Sequence, residues 1–369
     1  GASALAANTT ADNNTAVGYE ALKVNTTGTQ NTALGGYALN ANTTANNNAA
    51  FGYRSLWVNT TGSENAAGGT YSLDANTTGS NNTGFGHGSL TANTTASNNT
   101  AVGYYALGAN TTGTSNVAVG KGALDANTTA SYNTAVGLDA LSTNTTGANN
   151  TGIGKDALFA STTADNNTAL GYKSLEANTT GSENTALGRS ALNANTTAGN
   201  NVAVGYCSLL VNTTGADNTA VGFRCLDANT TASYNTAVGF AALGANTTGT
   251  KNVAVGNNAL DAATTVDWNV AIGYNALTAC TATQNTAVGG AALEDCTTGS
   301  YNVAVGMEAA RNLTTGSNNT AIGRNAMDKA VTGGSNTAIG VFAVRDVTSG
   351  QQNTGVGGYA CAAVTTADS

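Results

Sequence analysis

The chain has one histidine, His87, in Gly86-His87-Gly88. A general base needs a positioned partner, and no sequence neighbour supplies one, so His87 reads as a solvent-facing turn residue. Asp125, Asp227 and Asp261 each follow a repeat leucine, or its place, and so share one column. Stacked carboxylates are chemistry for a weakly held cation, but the same column also holds Lys23, Trp57, Phe159 and Leu210. That mixture describes a solvated edge. Gly120-Lys121-Gly122 lacks the spacing of a phosphate loop, and the Asp-containing nonapeptide of calcium-binding β-rolls is absent. The expectation is a chain that is not an enzyme, with no catalytic residue, cofactor or metal site.

Two further residue sets bear on chemistry. The cysteines are Cys207, Cys225, Cys280, Cys296 and Cys361. Cys280 and Cys296 take the same place in consecutive repeat units, a separation that a disulfide accepts, so either a bridge or two buried thiols is expected. Cys207 and Cys225 are one position out of register, Cys361 takes a leucine place, and an odd count leaves one thiol unpaired. Asn25-Thr26-Thr27 is a glycosylation acceptor pattern that recurs in most units. The Asn25 column, however, also holds Ser161, Ala263, Cys280, Cys296, Leu313, Ala330, Val347 and Val364. Leucine and valine do not substitute for a surface asparagine, so an inward ladder of paired amides is expected instead.

What positions these residues is a repeat. The stretch Asn14-Thr15-Ala16-Val17-Gly18 returns as Asn31-Thr32-Ala33-Leu34-Gly35 and keeps returning to Asn353, in nineteen steps of 17 residues and one of 16, giving 21 copies. A fixed short period is the signature of a solenoid. The short step falls between Asn269 and Asn285 and is expected to tighten the chain locally. From about Ala262 the Asn-Thr-Thr segment decays, as in Val331-Thr332-Gly333. The first residues match the middle of a unit and Ser369 falls where a unit would close, so the expectation is one continuous array, 1–369, cut from a longer fibrous protein or abutting other copies. Only 9% of residues are charged, 47 are Gly and none is Pro. The net charge of −8 argues against nucleic acid, which needs clustered Lys and Arg. No apolar run approaches the ~20 residues of a membrane span.

Comparing units gives each position a role. The leading Asn and the Gly four residues on never vary, from Asn14/Gly18 through Asn116/Gly120 and Asn269/Gly273 to Asn353/Gly357. Invariant Gly signals positive φ or close backbone approach, and a recurring Asn can stack into an amide ladder. Between them lies a short strand whose side chains alternate. Val17 and its equivalents, such as Val119, are nearly all large and apolar and are expected to face a core together with Leu22 and Leu124. The Ala16 column holds only Ala or Gly, so another backbone is expected against it, either the opposite wall of a thin coil or a second subunit. Each coil is expected to contain two short strands and two turns, and 21 coils at ~4.8 Å stack to roughly 100 Å.

The cores Asn116-Val117-Ala118-Val119-Gly120 and Asn269-Val270-Ala271-Ile272-Gly273 resemble head repeats of trimeric autotransporter adhesins, and the Asn-Thr-Ala-Val-Gly…Ala-Leu…Asn-Thr-Thr-Gly arrays look like those of phage tail fibres. The resemblance runs the length of the chain. It implies an all-β, left-handed parallel β-solenoid, or β-roll, with three chains around an axis meeting at the Ala16 column. The adhesin heads have a shorter coil, so the Asn25-Thr26-Thr27-Gly28 loop is an enlargement.

These readings converge on a structural or adhesive extracellular fibre, on a cell or virion surface, that pairs with itself as a homotrimer or end-to-end filament and contacts a host surface or extracellular matrix. A phage tail-fibre shaft is the close alternative. An ice-binding surface would use the Thr26 or Thr27 columns, but adjacent threonines point oppositely and leave one outward rank. A glycan-binding surface would use Tyr19, Tyr53, Tyr104 and Tyr172, although Lys121 and Gly290 at the same turn favour mere decoration.

Overall fold

In the computed structural model, residues 1–330 and 332–361 are described; Val331, Val364 and Ser369, which figure in the reading above, lie outside them. The chain is an all-β parallel β-solenoid that divides into two compact units, Gly1–Asn184 and Thr185–Ser369. In the first, ten strands run from β1 (Thr15–Val17) to β10 (Thr168–Leu170). In the second, eleven run from β11 (Thr185–Leu187) to β21 (Thr354–Val356). Each strand is three residues long and, within each unit, pairs in parallel with the next, like on like: Thr15 with Thr32, Ala16 with Ala33, Val17 with Leu34.

One strand per coil is found among the described residues, where two were expected. The Ala21–Val24 segment does bond to its neighbour, through Leu22 N–H to the Ala38 carbonyl at 2.9 Å and Val24 N–H to Asn40 at 3.3 Å. Its backbone is not extended, however. Glu20 and Leu22 have φ of 52° and 51°, and their counterparts repeat this coil after coil. Left-handed geometry at two positions in three curls the segment into a turn while its N–H groups still reach the next coil.

The core is thin. Ala33, Ala38, Leu39, Asn42, Ala45 and Asn48 are all at most 2% exposed, so one coil's interior is one leucine, three alanines and two asparagines. Leu22 and Leu124 are fully buried, as expected. Val17 and Val119 are not core residues: they are 59% and 36% exposed. Size decides this. A Cβ at Gly152, in the Ala16 column, would lie 3.3 Å from the Leu141 side chain and 3.3 Å from the Ala157 carbonyl. The opposite wall is that close, so only Ala or Gly fits inward and the bulkier Thr15 and Val17 turn outward. The Ala16 column is therefore packed inside its own coil and is closed to a second subunit.

The invariant glycine meets both demands anticipated for it. Gly18 has φ of +140°, and a Cβ there would collide with the Gly35 carbonyl one coil on.

Candidate functional site

The two asparagine columns hold the coils together by different means. In the Asn25 column the amides pair directly, Asn42 Nδ2 donating to Asn25 Oδ1 at 2.8 Å and Asn59 Nδ2 to Asn42 Oδ1 at 3.0 Å. Each Nδ2 also donates to its own coil's turn carbonyl, Asn42 to Ala45 at 3.1 Å. Asn25 is fully buried, so the acceptor pattern is read here by a neighbouring coil and is closed to a glycan in the folded chain. In the Asn14 column the side chain serves the backbone instead. Asn31 N–H donates to Asn14 Oδ1 at 2.9 Å, Asn133 N–H to Asn116 Oδ1 at 2.9 Å, and Asn285 N–H to Asn269 Oδ1 at 2.9 Å. The first column is thus an amide–amide ladder; the second is mainly an amide–backbone ladder, with occasional amide pairs such as Asn65 to Asn48 at 3.2 Å.

The short coil keeps this scheme. Asn269 Nδ2 donates to the Ala282 carbonyl at 2.9 Å, placing Ala282 where other coils have Gly28 or Ala45. The residue lost is therefore the exposed second threonine, and the strands on either side stay in register, Val270 with Thr286.

Cys280 and Cys296 come together as expected, fully buried, but as free thiols and not as a bridge. Each takes over the task of the asparagine it replaces, since Cys280 Sγ–H donates to the Ala282 carbonyl at 3.3 Å and Cys296 Sγ–H to Gly299 at 3.3 Å. A hydrogen bond with Cys280, followed by burial, pushes the Cys296 thiol up. Burial, with a smaller push from the Asp227 charge, outweighs two backbone hydrogen bonds at Cys225, which is pushed up to about 12.

Three outward surfaces remain. The first is the strand face of Thr15 and Val17, which in the first unit continues through Leu34, Phe51, Phe85, Val102 and Leu170, each at least 40% exposed. Neither column contains a charged residue. The second is the threonine edge. Thr26 Oγ1 donates to the next coil's Thr43 carbonyl at 3.1 Å, so the exposed rank is Thr27 and its equivalents. Beside it, side-chain oxygens accept backbone N–H groups, Asn46 to Ser63 Oγ at 3.2 Å and Ser63 to Ser80 Oγ at 3.0 Å. A single free rank remains, as the sequence reading holds.

The third surface is an aromatic stripe of which the column reading caught only Tyr19, Tyr53 and Tyr104. In six consecutive coils the first turn carries Tyr19, Tyr37, Tyr53, Tyr71, His87 and then Tyr104 with Tyr105. Neighbouring ring centroids lie 5.3, 5.9, 5.8, 5.9 and 5.6 Å apart from Tyr19 to Tyr104. The rings shift between the two turn positions, so either position alone shows only part of the run. His87 is exposed, as expected, but it stacks on Tyr104 at an interplanar angle of 14°. Glu20 sits beside the first ring and bonds Lys23 at 2.8 Å, which holds its carboxyl below the usual range. The nearby Glu20 charge in turn raises Tyr19. Tyr172 lies outside this run of six coils.

In the second unit the same edge carries a groove of about 390 Å³ lined by Phe223, Phe240, Arg224, Asp227 and Asp261. Its two phenyl rings stack at 5.4 Å, and burial, then the Asp227 charge, raises Asp261. Among the described residues no three His, Cys, Asp or Glu side chains gather as a metal site. No helix there is long and apolar enough to cross a membrane. No protein-family model matches this sequence, and no curated protein matches it either.

Proposed function

We propose that this chain is a structural, fibre-forming protein that associates with further copies of itself through the Thr15/Val17 face. The observation that carries the reading is an outward apolar column, exposed or half-buried in coil after coil, on the strand face. Contiguous apolar surface beyond a few hundred Å² marks an interaction site. A partner must match one apolar side chain per coil over many coils and bring no charge, which a second copy of the same face does. The likeness of the Asn-Val-Ala-Val-Gly cores to adhesin heads gives three chains as the expected number. An extracellular setting, on a cell or virion surface, follows from the same likeness, as does contact with a host surface or matrix.

The test is the mass in solution by light scattering, for the natural chain and for Val102→Lys/Val119→Lys. The natural chain is expected to be a trimer or a larger assembly, and the double variant a monomer with unchanged circular dichroism. A natural chain that is monomeric at all concentrations would overturn the reading.

A further inference from the structure

The aromatic stripe of the first unit has more built into it than coil stacking requires. Edge-to-face ring pairs contribute about 0.5–1.5 kcal/mol each beyond area burial, and buried phenylalanines would supply that. These rings are instead tyrosines with one side in water: Tyr19, Tyr53 and Tyr104 are 51%, 45% and 53% exposed. The stripe also opens into a cleft of about 200 Å³ lined by Tyr37, Tyr53, Arg54 and Trp57. There the Arg54 guanidinium lies on the Trp57 ring at 3.5 Å, within 3.9 Å of Asp74. Its Nε is buried and has no hydrogen-bond acceptor.

The partner's chemistry follows from spacing and charge. The exposed rings Tyr19 and Tyr53 are two coils apart, about 9.6 Å along the stack, and Tyr37 between them stands edge-on to both, so the partner presents a flat apolar face at about that repeat and acceptors at its edge. Glu20 is paired with Lys23 and Arg54 lies beside Asp74, so the stripe has no excess of either sign to attract a polyanion or polycation. A pyranose has an apolar C–H face and a rim of hydroxyls, and in an extended chain the same face recurs at every second residue, close to the two-coil spacing. We propose that the stripe from Tyr19 to Tyr104 binds a linear neutral polysaccharide, with sugar faces on the exposed tyrosines and sugar hydroxyls at the part-exposed edge of the Arg54 side chain.

The experiment is native electrophoresis of the whole chain in gels cast with hydroxyethylcellulose, with xylan, with alginate, or without polysaccharide. Retardation by a neutral polysaccharide relative to the plain gel is expected. In Tyr53→Ala/Trp57→Ala the apparent affinity should fall at least about fivefold, the loss typical of truncating an aromatic anchor. Tyr53→Phe keeps the ring and should still bind, and Tyr234→Ala, which removes an exposed tyrosine of the other unit, should leave retardation unchanged. Equal mobility in plain and neutral-polysaccharide gels, retardation by alginate alone, or full retardation of the double variant would each overturn the proposal. Because each mobility is read against the plain gel, self-association does not enter the result, and this inference and the fibre reading fail separately.

Discussion

Asn144 and Ser161 occupy the same place in neighbouring coils, and both Asn144 Oδ1 and Ser161 Oγ are buried with no hydrogen-bond partner. The amide ladder explains the pair. Each rung donates to the Oδ1 of the coil before it, and serine is too short to make that bond. Asn246 Oδ1 is orphaned in the same way, because the next rung is Ala263.

Restoring the rung should therefore stabilise the coil. Ser161→Asn supplies an Nδ2 for both Asn144 Oδ1 and the Ala164 carbonyl, in a space every flanking coil already fills with asparagine. A gain of about 1–2 kcal/mol follows from satisfying a buried acceptor. Amide exchange at Thr162, whose N–H bonds the Thr179 carbonyl at 3.0 Å, should slow about 5–30-fold if opening is local. Ser161→Ala should be near neutral. Equal exchange in Ser161→Asn and the natural chain would show that Asn144 is not short of a donor.

Glycines along the chain should differ sharply in what they tolerate. Gly120→Ala places a methyl against the Gly137 carbonyl at φ of +139°, so a loss of at least ~2 kcal/mol is expected from left-handed strain and clash together. Gly290→Ala meets nothing within 4 Å and should be neutral or slightly stabilising. Denaturant midpoints of the two variants measure the contrast, and equal midpoints would contradict the close approach of adjacent coils.

Thiol chemistry separates the five cysteines. Iodoacetamide at pH 8 without denaturant should modify Cys361, which is exposed, and more slowly Cys207, which is half-buried. Cys225, Cys280 and Cys296 are fully buried, and Cys225, pushed up to about 12, holds its proton at that pH. Denaturation without reductant should raise labelling to all five. Mass spectrometry that finds only three labelled under those conditions would mean that Cys280 and Cys296 are bridged.

The acid side carries its own signature. Bonds from Arg345 and then Lys329 hold the Asp346 carboxyl at about 2, below its ordinary 3.8. A carboxylate depressed in the folded state contributes stability above its unfolded value and loses it as pH falls through the folded one. The contribution of Asp346 should thus be intact above pH ~4 and fade between pH 4 and 2. Midpoints measured across that window should fall less steeply for Asp346→Asn than for the natural chain.

The period, the glycine column and the leucine column are all legible in the sequence, because one geometric demand recurs at one position in every coil. Which strand face is inside is not. Alternation separates Ala16 from Val17 without ranking them, and hydropathy favours the valine. The decisive signal is size: the Ala16 column is strictly small, whereas the Val17 column ranges from Gly68 to Phe51, a freedom that a filled interior does not allow. The amide ladder is legible through its substitutions, since Leu313 and Val347, both fully buried, mark the Asn25 column as inward. The stripe was only half legible, because it moves between adjacent positions: one column holds Tyr19, Tyr53 and Tyr104, and the rings between them, such as Tyr37, lie in the next.

Each coil reads only its neighbours, and it reads them through identical contacts: Thr15 against Thr32, Asn31 on Asn14, Gly18 beneath Gly35. Within either unit, a 17-residue segment duplicated or removed would rejoin the ladder in the same alignment, with every inward side chain still inward. Even the 16-residue coil keeps its strands paired by giving up one exposed threonine. The number of coils is therefore a quantity that genetic slippage can change in whole steps without redesigning a core, and the exposed surfaces lengthen or shorten with it.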